Sequence, residues 1–237
     1  FLHAGVFIFK GVSMDLQSVK GAIFDMDGTL LDSMWIWHEV DKIFLARRGI
    51  PFPEDYARAI KTMNYWQAAA FTKKRFGLKE SEEDIIKEWD KQVRAAYRKG
   101  MSLKPGARDF LFTLKTNGIK IGLATASDKE FYEVSLKRNG VFELFDTFVT
   151  LDEPNLRSKK FPDIYLRTAK RLSLSPEDCV VFEDVLDGIR GAKLAGMRAY
   201  AIYDQYSANE KAQLMKTADG YFQDFTKIDC HKGSETA

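Results

Sequence analysis

Cysteine is scarce in this chain: Cys179 and Cys230 are the only two among 237 residues. Two cysteines so far apart make neither a disulfide framework nor a metal-ligand cluster, and they suit a reducing, cytosolic setting. An excess of one charge is also lacking. The 36 Lys and Arg nearly balance the 34 Asp and Glu, for a net charge of +2. No basic patch therefore asks for nucleic acid or an anionic membrane as partner. No stretch approaches the roughly 20 apolar residues that span a bilayer. The segment Phe1–Ser13 is apolar but short, with no basic start and no small-residue cleavage site. It reads as an extension, or as a first strand, ahead of Met14, and not as a signal peptide. Internal repeats and low-complexity tracts are absent. What is present is 45% apolar and 30% charged residues, enough for a full core under a soluble surface. The length suits one large domain, or one domain with a sizeable insertion.

The chain is organised around Gly21-Ala22-Ile23-Phe24-Asp25-Met26-Asp27-Gly28-Thr29-Leu30. A short apolar strand runs into two carboxylates one residue apart and then a glycine. Two such acids repel one another and resist burial. A hard divalent cation such as Mg2+ would resolve the conflict, because it takes carboxylate oxygens. Gly28 lets the backbone turn sharply. The plainer reading, a strand ending in an Asp-Gly turn, fits this stretch alone.

Asp32-Ser33 reads as a helix start, and Ile36, Trp37, Val40, Ile43, Phe44 and Arg47 follow at helical spacing up to Gly49. Helices are expected over 54–61 and 66–75. A capping-box-like Ser81-Glu82-Glu83-Asp84 precedes Ile85, Ile86, Trp89, Val93 and Tyr97 on one face. From Asp32 to Leu103 there is no strand signal. After Pro105-Gly106 helix and strand alternate: helices over 107–117, 131–139, 163–172 and 188–195, strands over 120–124, 148–150, 179–182 and 198–202, with a further strand near 219–222. This alternation predicts a doubly wound α/β sheet of parallel strands covered on both faces, with ligands beyond the carboxyl ends of the strands. The domains expected are a core of 14–31 and 104–237, an inserted all-helical cap of 32–103, and an extension of 1–13. The tail from about Cys230 is polar and expected to fray.

Polar residues stand where buried strands would not need them: Asp25 and Asp27, Thr125 and Ser127, Lys159 and Lys160, Glu183 and Asp184. This order resembles the haloacid dehalogenase superfamily of phosphotransferases. The resemblance runs from about Lys20 to Phe225. Asp25-Met26-Asp27-Gly28-Thr29 is similar to its first motif, Thr125 to its second, Lys159-Lys160-Phe161-Pro162-Asp163-Ile164-Tyr165 to its third, and Val181-Phe182-Glu183-Asp184-Val185-Leu186-Asp187-Gly188 to its fourth. The insertion resembles the cap of the subgroup that holds β-phosphoglucomutases and small sugar-phosphate phosphatases.

The resemblance implies a role for each residue. Asp25 would attack phosphorus and carry an aspartyl-phosphate. Asp27 would protonate the leaving oxygen and later deprotonate water. Asp25, the Asp27 backbone carbonyl and Asp184 would hold Mg2+. Thr125 and the amide of Ala126 would bind a phosphate oxygen, and Lys159 would neutralise the transferring group. Glu183 would stand behind the metal ligands, or ligate the metal itself. Lys159 is preferred to Lys160 because the family places its lysine three residues before the Pro of a Pro-Asp pair; Lys160 is then solvated.

Each role has a structural competitor. Thr125 could cap the helix that begins near Asp128. Asp187 reads as the cap of a helix starting at Gly188. His38 lies on the first cap helix, where a lone histidine is usually packed or exposed; His3 and His231 lie in the tails. Trp35, Trp37, Tyr65 and Trp66 could line the site, though their spacing is that of cap core. Arg58 and Lys61 could bind a second anion but read as a solvated face. Cys179 reads as packing.

Mutases of this family use an Arg-Gly segment in the cap, and the comparable Ala57–Met63 has no glycine. They tend to carry lysine where this chain has Asp128, and an acid there repels a second phosphate. The reading is a Mg2+-dependent phosphatase of a small phosphorylated metabolite, a sugar phosphate. Its rivals are a phosphomutase and a non-catalytic metabolite-binding protein. No nucleic-acid or membrane partner is expected, and the chain should be a cytoplasmic monomer or weak homodimer.

Overall fold

The computed structural model of the chain describes residues 13–60, 63 and 65–231. The extension read at 1–13 lies outside the described residues except for Ser13; so do His3, Lys61 and the side chains of Arg58, Tyr65 and His231. The chain separates into two compact units, one of residues 33–101 and one holding the rest.

The larger unit begins with β1 (Ser13–Asp15) and β2 (Gly21–Phe24). The smaller unit carries α1 (Trp35–Ala46), α2 (Glu54–Ile60), α3 (Tyr65–Phe76) and α4 (Glu82–Lys99). The larger unit then continues with α5 (Ala107–Thr116), β3 (Lys120–Thr125), α6 (Lys129–Arg138), β4 (Thr147–Thr150), α7 (Asp163–Leu172) and β5 (Cys179–Glu183). It closes with α8 (Leu186–Leu194), β6 (Arg198–Ile202), α9 (Lys211–Thr217), β7 (Gly220–Phe222) and β8 (Asp229–His231).

Six strands form one sheet in the order β4-β3-β2-β5-β6-β7, and every pair is parallel. β2 lies in the middle, with Phe24 beside Leu123 of β3 and Phe182 of β5. From β2 the chain runs outward through β3 to β4 and then crosses to β5 on the other side, so the crevice at the carboxyl end of β2 is a topological switch point. Alternation of side chains sends Ile23 and Val181 to the face covered by Ile164, Ile189 and Ala192 of α7 and α8. Phe24 points the other way. It stacks on Phe182 at 4.8 Å and meets Phe110 of α5 edge-on at 6.1 Å. Together these faces give β2 the continuous burial expected of a parallel strand.

The described start of the tail departs from expectation, and residues 232–237 lie outside the described residues. Asp229–His231 does not fray but pairs in parallel with Ser13–Asp15, Met14 opposite Cys230, as a separate two-stranded sheet. Period-two reading misses it because each partner is three residues long and gains its hydrogen bonds only from the other.

The smaller unit packs on its own core. Phe44 meets Trp89 edge-on at 5.6 Å, and Ile36, Val40, Ile85, Val93 and Tyr97 are buried with them. Ser81 caps α4 by accepting the Asp84 amide at 3.1 Å. The start read at Asp32-Ser33 is displaced: Met34 holds the N-cap position of α1, with no side-chain cap. Trp35, Trp37 and Trp66 do not belong to this core. All three are exposed, Trp66 by 57%; helical spacing marks a face but not what covers it. His38 packs its ring on Phe52 at 4.8 Å.

Candidate active site

Asp25 continues β2 by one residue, its amide donating to the Phe182 carbonyl at 3.0 Å. Its side chain therefore emerges at the switch point, 5% exposed. Thr125 ends β3 and Glu183 ends β5, the two neighbours of β2. Parallel register thus delivers residues far apart in sequence to one edge of the sheet.

Lys159 joins two of these acids. Its ammonium donates to Asp25 Oδ1 and, at 2.6 Å, to Glu183 Oε1. Tyr165 donates to the same Glu183 oxygen at 3.0 Å, while Oε2 accepts the Asp184 amide at 3.2 Å. Both oxygens of Glu183 are engaged by protein donors. Thr29, fully buried, donates to Asp184 Oδ1 at 3.0 Å. Lys160 is exposed, near the Phe161 ring.

Electrostatics expose what the cluster lacks. Burial raises Asp184 well above the carboxylate range, and Asp25 and Glu183 raise it further. Burial also raises Glu183, against the opposing pull of Lys159. Burial alone would lower the Lys159 ammonium, but Asp25 and Glu183 outweigh it and hold the lysine protonated. One ammonium does not neutralise three buried acids. Asp25, Glu183 and Asp184 can each aim an oxygen at a common point, the oxygens within 4.8 Å of one another. An all-oxygen donor set with excess negative charge fits a hard divalent cation.

The remaining assigned residues lie beside this cluster in different ways. Thr125, 1% exposed, accepts the Ser127 amide on Oγ1 at 3.0 Å. It is not the cap of α6, whose N-cap residue is Asp128. Ala126 follows it, exposed on the same turn. The Asp27 carboxylate is not among the three clustered acids: it accepts a hydrogen bond from the Ser127 hydroxyl. Asp187 caps nothing, since α8 begins at Leu186 with Val185 as N-cap residue. Its side chain is exposed, 3.8 Å from Arg190.

Sequence reading assigned no role to several residues that shape the site. Tyr165 and Thr29 stand in the sequence only as members of motifs, with no role of their own. Gly188 and Gly191 of α8 give the helix a bare face. A Cβ on Gly188 would lie 2.3 Å from the Glu183 carboxyl carbon. Lys104, buried, donates to the Tyr203 carbonyl at 2.6 Å and to Asp204 at 3.0 Å; both charges act on Asp184, in opposite senses. No local pattern marks that pair.

Comparison with known proteins shows the family. The profile of the haloacid dehalogenase-like hydrolases matches residues 19–196. The chain is 30% identical over 199 residues to a phosphorylated carbohydrates phosphatase of Thermotoga maritima, covering 84% of this chain and 91% of that one. It is 30% identical over 194 residues to (DL)-glycerol-3-phosphatase 2 of Arabidopsis thaliana, covering 79% and 80%. Among solved structures, a T. maritima protein assigned to the β-phosphoglucomutases superposes with a TM-score of 0.79 at 28% identity, over 89% of this chain and 97% of that one.

Proposed function

We propose that this chain, which belongs to the haloacid dehalogenase-like hydrolase family, hydrolyses a sugar phosphate through an aspartyl-phosphate on Asp25 with Mg2+ bound. The chain is a phosphatase; substrate, cofactor and mechanism are the proposal. The observation that carries it is the Lys159 ammonium shared by Asp25 and Glu183. That contact holds one Asp25 oxygen and leaves the other available for attack.

The chemistry follows from charge. An anionic nucleophile meets an anionic phosphate monoester, so positioning and neutralisation do most of the work. Asp25 forms the bond to phosphorus while Asp27 gives a proton to the departing oxygen. Asp27 then takes a proton from water, whose oxygen attacks phosphorus and frees Asp25. Thr125 and the Ala126 amide hold a phosphoryl oxygen, and Lys159 balances its charge. Asp25, Asp184 and the Asp27 carbonyl would hold Mg2+, with Glu183 steadying Lys159 and Asp184 from behind. Bound there, the ion supplies Lewis-acid stabilisation of charge on the transferring group.

Hydrolysis is favoured over mutase action. Asp128 is exposed two residues past Ala126, where it repels a second phosphate, and both relatives above are phosphatases by name. The cap role of residues 32–103, selecting the sugar, and a cytoplasmic monomer or weak homodimer are parts of the same proposal. Among the described residues no helix is long and apolar enough to cross a membrane.

The test is a panel of phosphorylated metabolites with Mg2+, scored for free phosphate and for isomers. Release of phosphate from a sugar phosphate by the wild type, lost in Asp25→Asn, is expected. Turnover that survives Asp25→Asn rules the mechanism out. An isomer without phosphate would identify a mutase, and binding with no turnover a sensor.

A further inference from the structure

We propose that Arg157 is a positioning residue for Lys159, acting through Phe161 and Asp163; this rests on the hydrolytic reading above, in which Lys159 balances the charge of the phosphoryl group. From Leu151 to Pro162, between β4 and α7, the chain is neither helix nor strand. A loop of that length needs anchors to hold one geometry. Its first half has them. The Leu151 amide donates to the Thr125 carbonyl at 3.1 Å. Glu153 accepts from Arg167 at 3.3 Å and from both terminal nitrogens of Arg171 at 2.8 Å.

The second half carries Lys159, and Arg157 closes it. Nε of Arg157 donates to Asp163 Oδ2 at 2.6 Å and Nη2 to Oδ1 at 2.9 Å, a two-pronged grip on the first residue of α7. The guanidinium also lies over the Phe161 ring, 3.9 Å from its centre. Inside the closed loop the Phe161 amide donates to the Ser158 carbonyl at 3.0 Å and turns the chain. Asp163 is a fixed post, because Ile164 and Tyr165 after it are fully buried. The pair stays charged, since the guanidinium lowers the Asp163 carboxyl further.

Lys159 depends on this loop for its direction. Its ammonium reaches Asp25 and Glu183, while its carbonyl packs against Gly191 of α8. That packing limits how near the segment comes to α8 but not how it rotates about its own axis. A planar fork on a fixed carboxylate sets both distance and direction. The Arg157 side chain is itself 57% exposed, so it acts on the reaction through Lys159 and is not catalytic. An exposed pair adds little to global stability, which separates its effect on rate from any effect on folding.

The test uses p-nitrophenyl phosphate with Mg2+. Arg157→Ala should lower kcat about tenfold through misalignment of Lys159, keep KM within about twofold, and move Tm by less than about 4 °C. Arg157→Lys keeps the charge without the fork and should stay impaired. Asp163→Ala should match Arg157→Ala, and the double variant should be no worse than either. In a Lys159→Ala background, Arg157→Ala should change kcat by less than about twofold, because the group it aims is gone.

Full activity in either Arg157 variant, a loss carried by KM, a larger fall in Tm, additive losses with Asp163→Ala, or an undiminished effect without Lys159 overturns the proposal and leaves the hydrolytic reading standing. Wild-type activity in Lys159→Ala removes the charge-balancing role of Lys159 and this proposal with it. Activity in Asp25→Asn removes the underlying mechanism.

Discussion

Gly191 of α8 lies against the backbone of Lys159 so closely that a Cβ there would sit 1.9 Å from the Lys159 carbonyl oxygen. The Phe161 carbonyl would be 2.8 Å away. Backbone atoms cannot rotate aside as a side chain could, so any larger residue forces the helix and the 159–161 segment apart.

Gly191→Ala should therefore destabilise the protein by on the order of 1–3 kcal/mol. It should also lower kcat by more than about tenfold, since a shift of roughly 1 Å in Lys159 breaks its alignment with Asp25. Arg190→Ala, exposed on the same helix, should change stability by less than about 0.5 kcal/mol. Urea melts and phosphate-release rates for both variants decide it. A fully active Gly191→Ala would contradict the packing argument.

Metal should act on stability as well as rate. If Mg2+ neutralises the buried acids, the apo protein holds an under-compensated Asp184. Asp184→Asn should then melt higher than the wild type without metal, because it removes a carboxyl whose ionisation burial opposes. It should also lose the rise in Tm that Mg2+ gives the wild type, about 2.7 kcal/mol of stabilisation at a hundredfold excess over Kd. Thermal melts in EDTA and in Mg2+ are the measurement; equal metal-induced shifts in both proteins would refute the site.

Tyr165→Phe removes a buried donor from Glu183 and leaves the Lys159 and Asp184 bonds to it. A loss of about 1–2 kcal/mol in stability is expected. Activity should fall several-fold, with kcat affected more than KM, if Glu183 acts through Lys159 as proposed. A variant altered in KM alone would place Tyr165 in substrate binding instead.

The helical unit carries its own pH dependence. Burial raises Asp41 to about 7, although a hydrogen bond from Tyr56 lowers it. That bond is 3.2 Å, and the Tyr56 hydroxyl also pairs with Thr72 at 2.8 Å. In the unfolded chain Asp41 titrates near about 3.9. Between these values the native state binds more protons than the unfolded one, so stability declines as pH rises from about 4 to about 7. The expected loss is on the order of 2–4 kcal/mol. Asp41→Asn should flatten that slope in denaturation curves taken across this range. A slope unchanged by the substitution would show that the dependence arises elsewhere.

Much of the molecule was legible in one dimension. α7 and β6 begin and end where periodicity and turn residues put them, because hydrophobic spacing and chain breakers act on neighbours in sequence. The short pair β1 and β8 was not legible, since neither strand has a local reason to form. Trp35, Trp37 and Trp66 had the right spacing for core, yet spacing says nothing of which faces find a partner.

The same division holds at the site. Polar residues at the ends of β2, β3 and β5 stand out in the sequence, and the resemblance to the family picks Asp25, Asp27, Thr125, Lys159 and Asp184 as the candidates among them. Their partners do not stand out. The hydroxyl that holds Asp27, the tyrosine behind Glu183, the Lys104–Asp204 pair and the bare face of α8 against Lys159 are relations between distant segments. Parallel register and close packing create such contacts, and only the folded chain decides them.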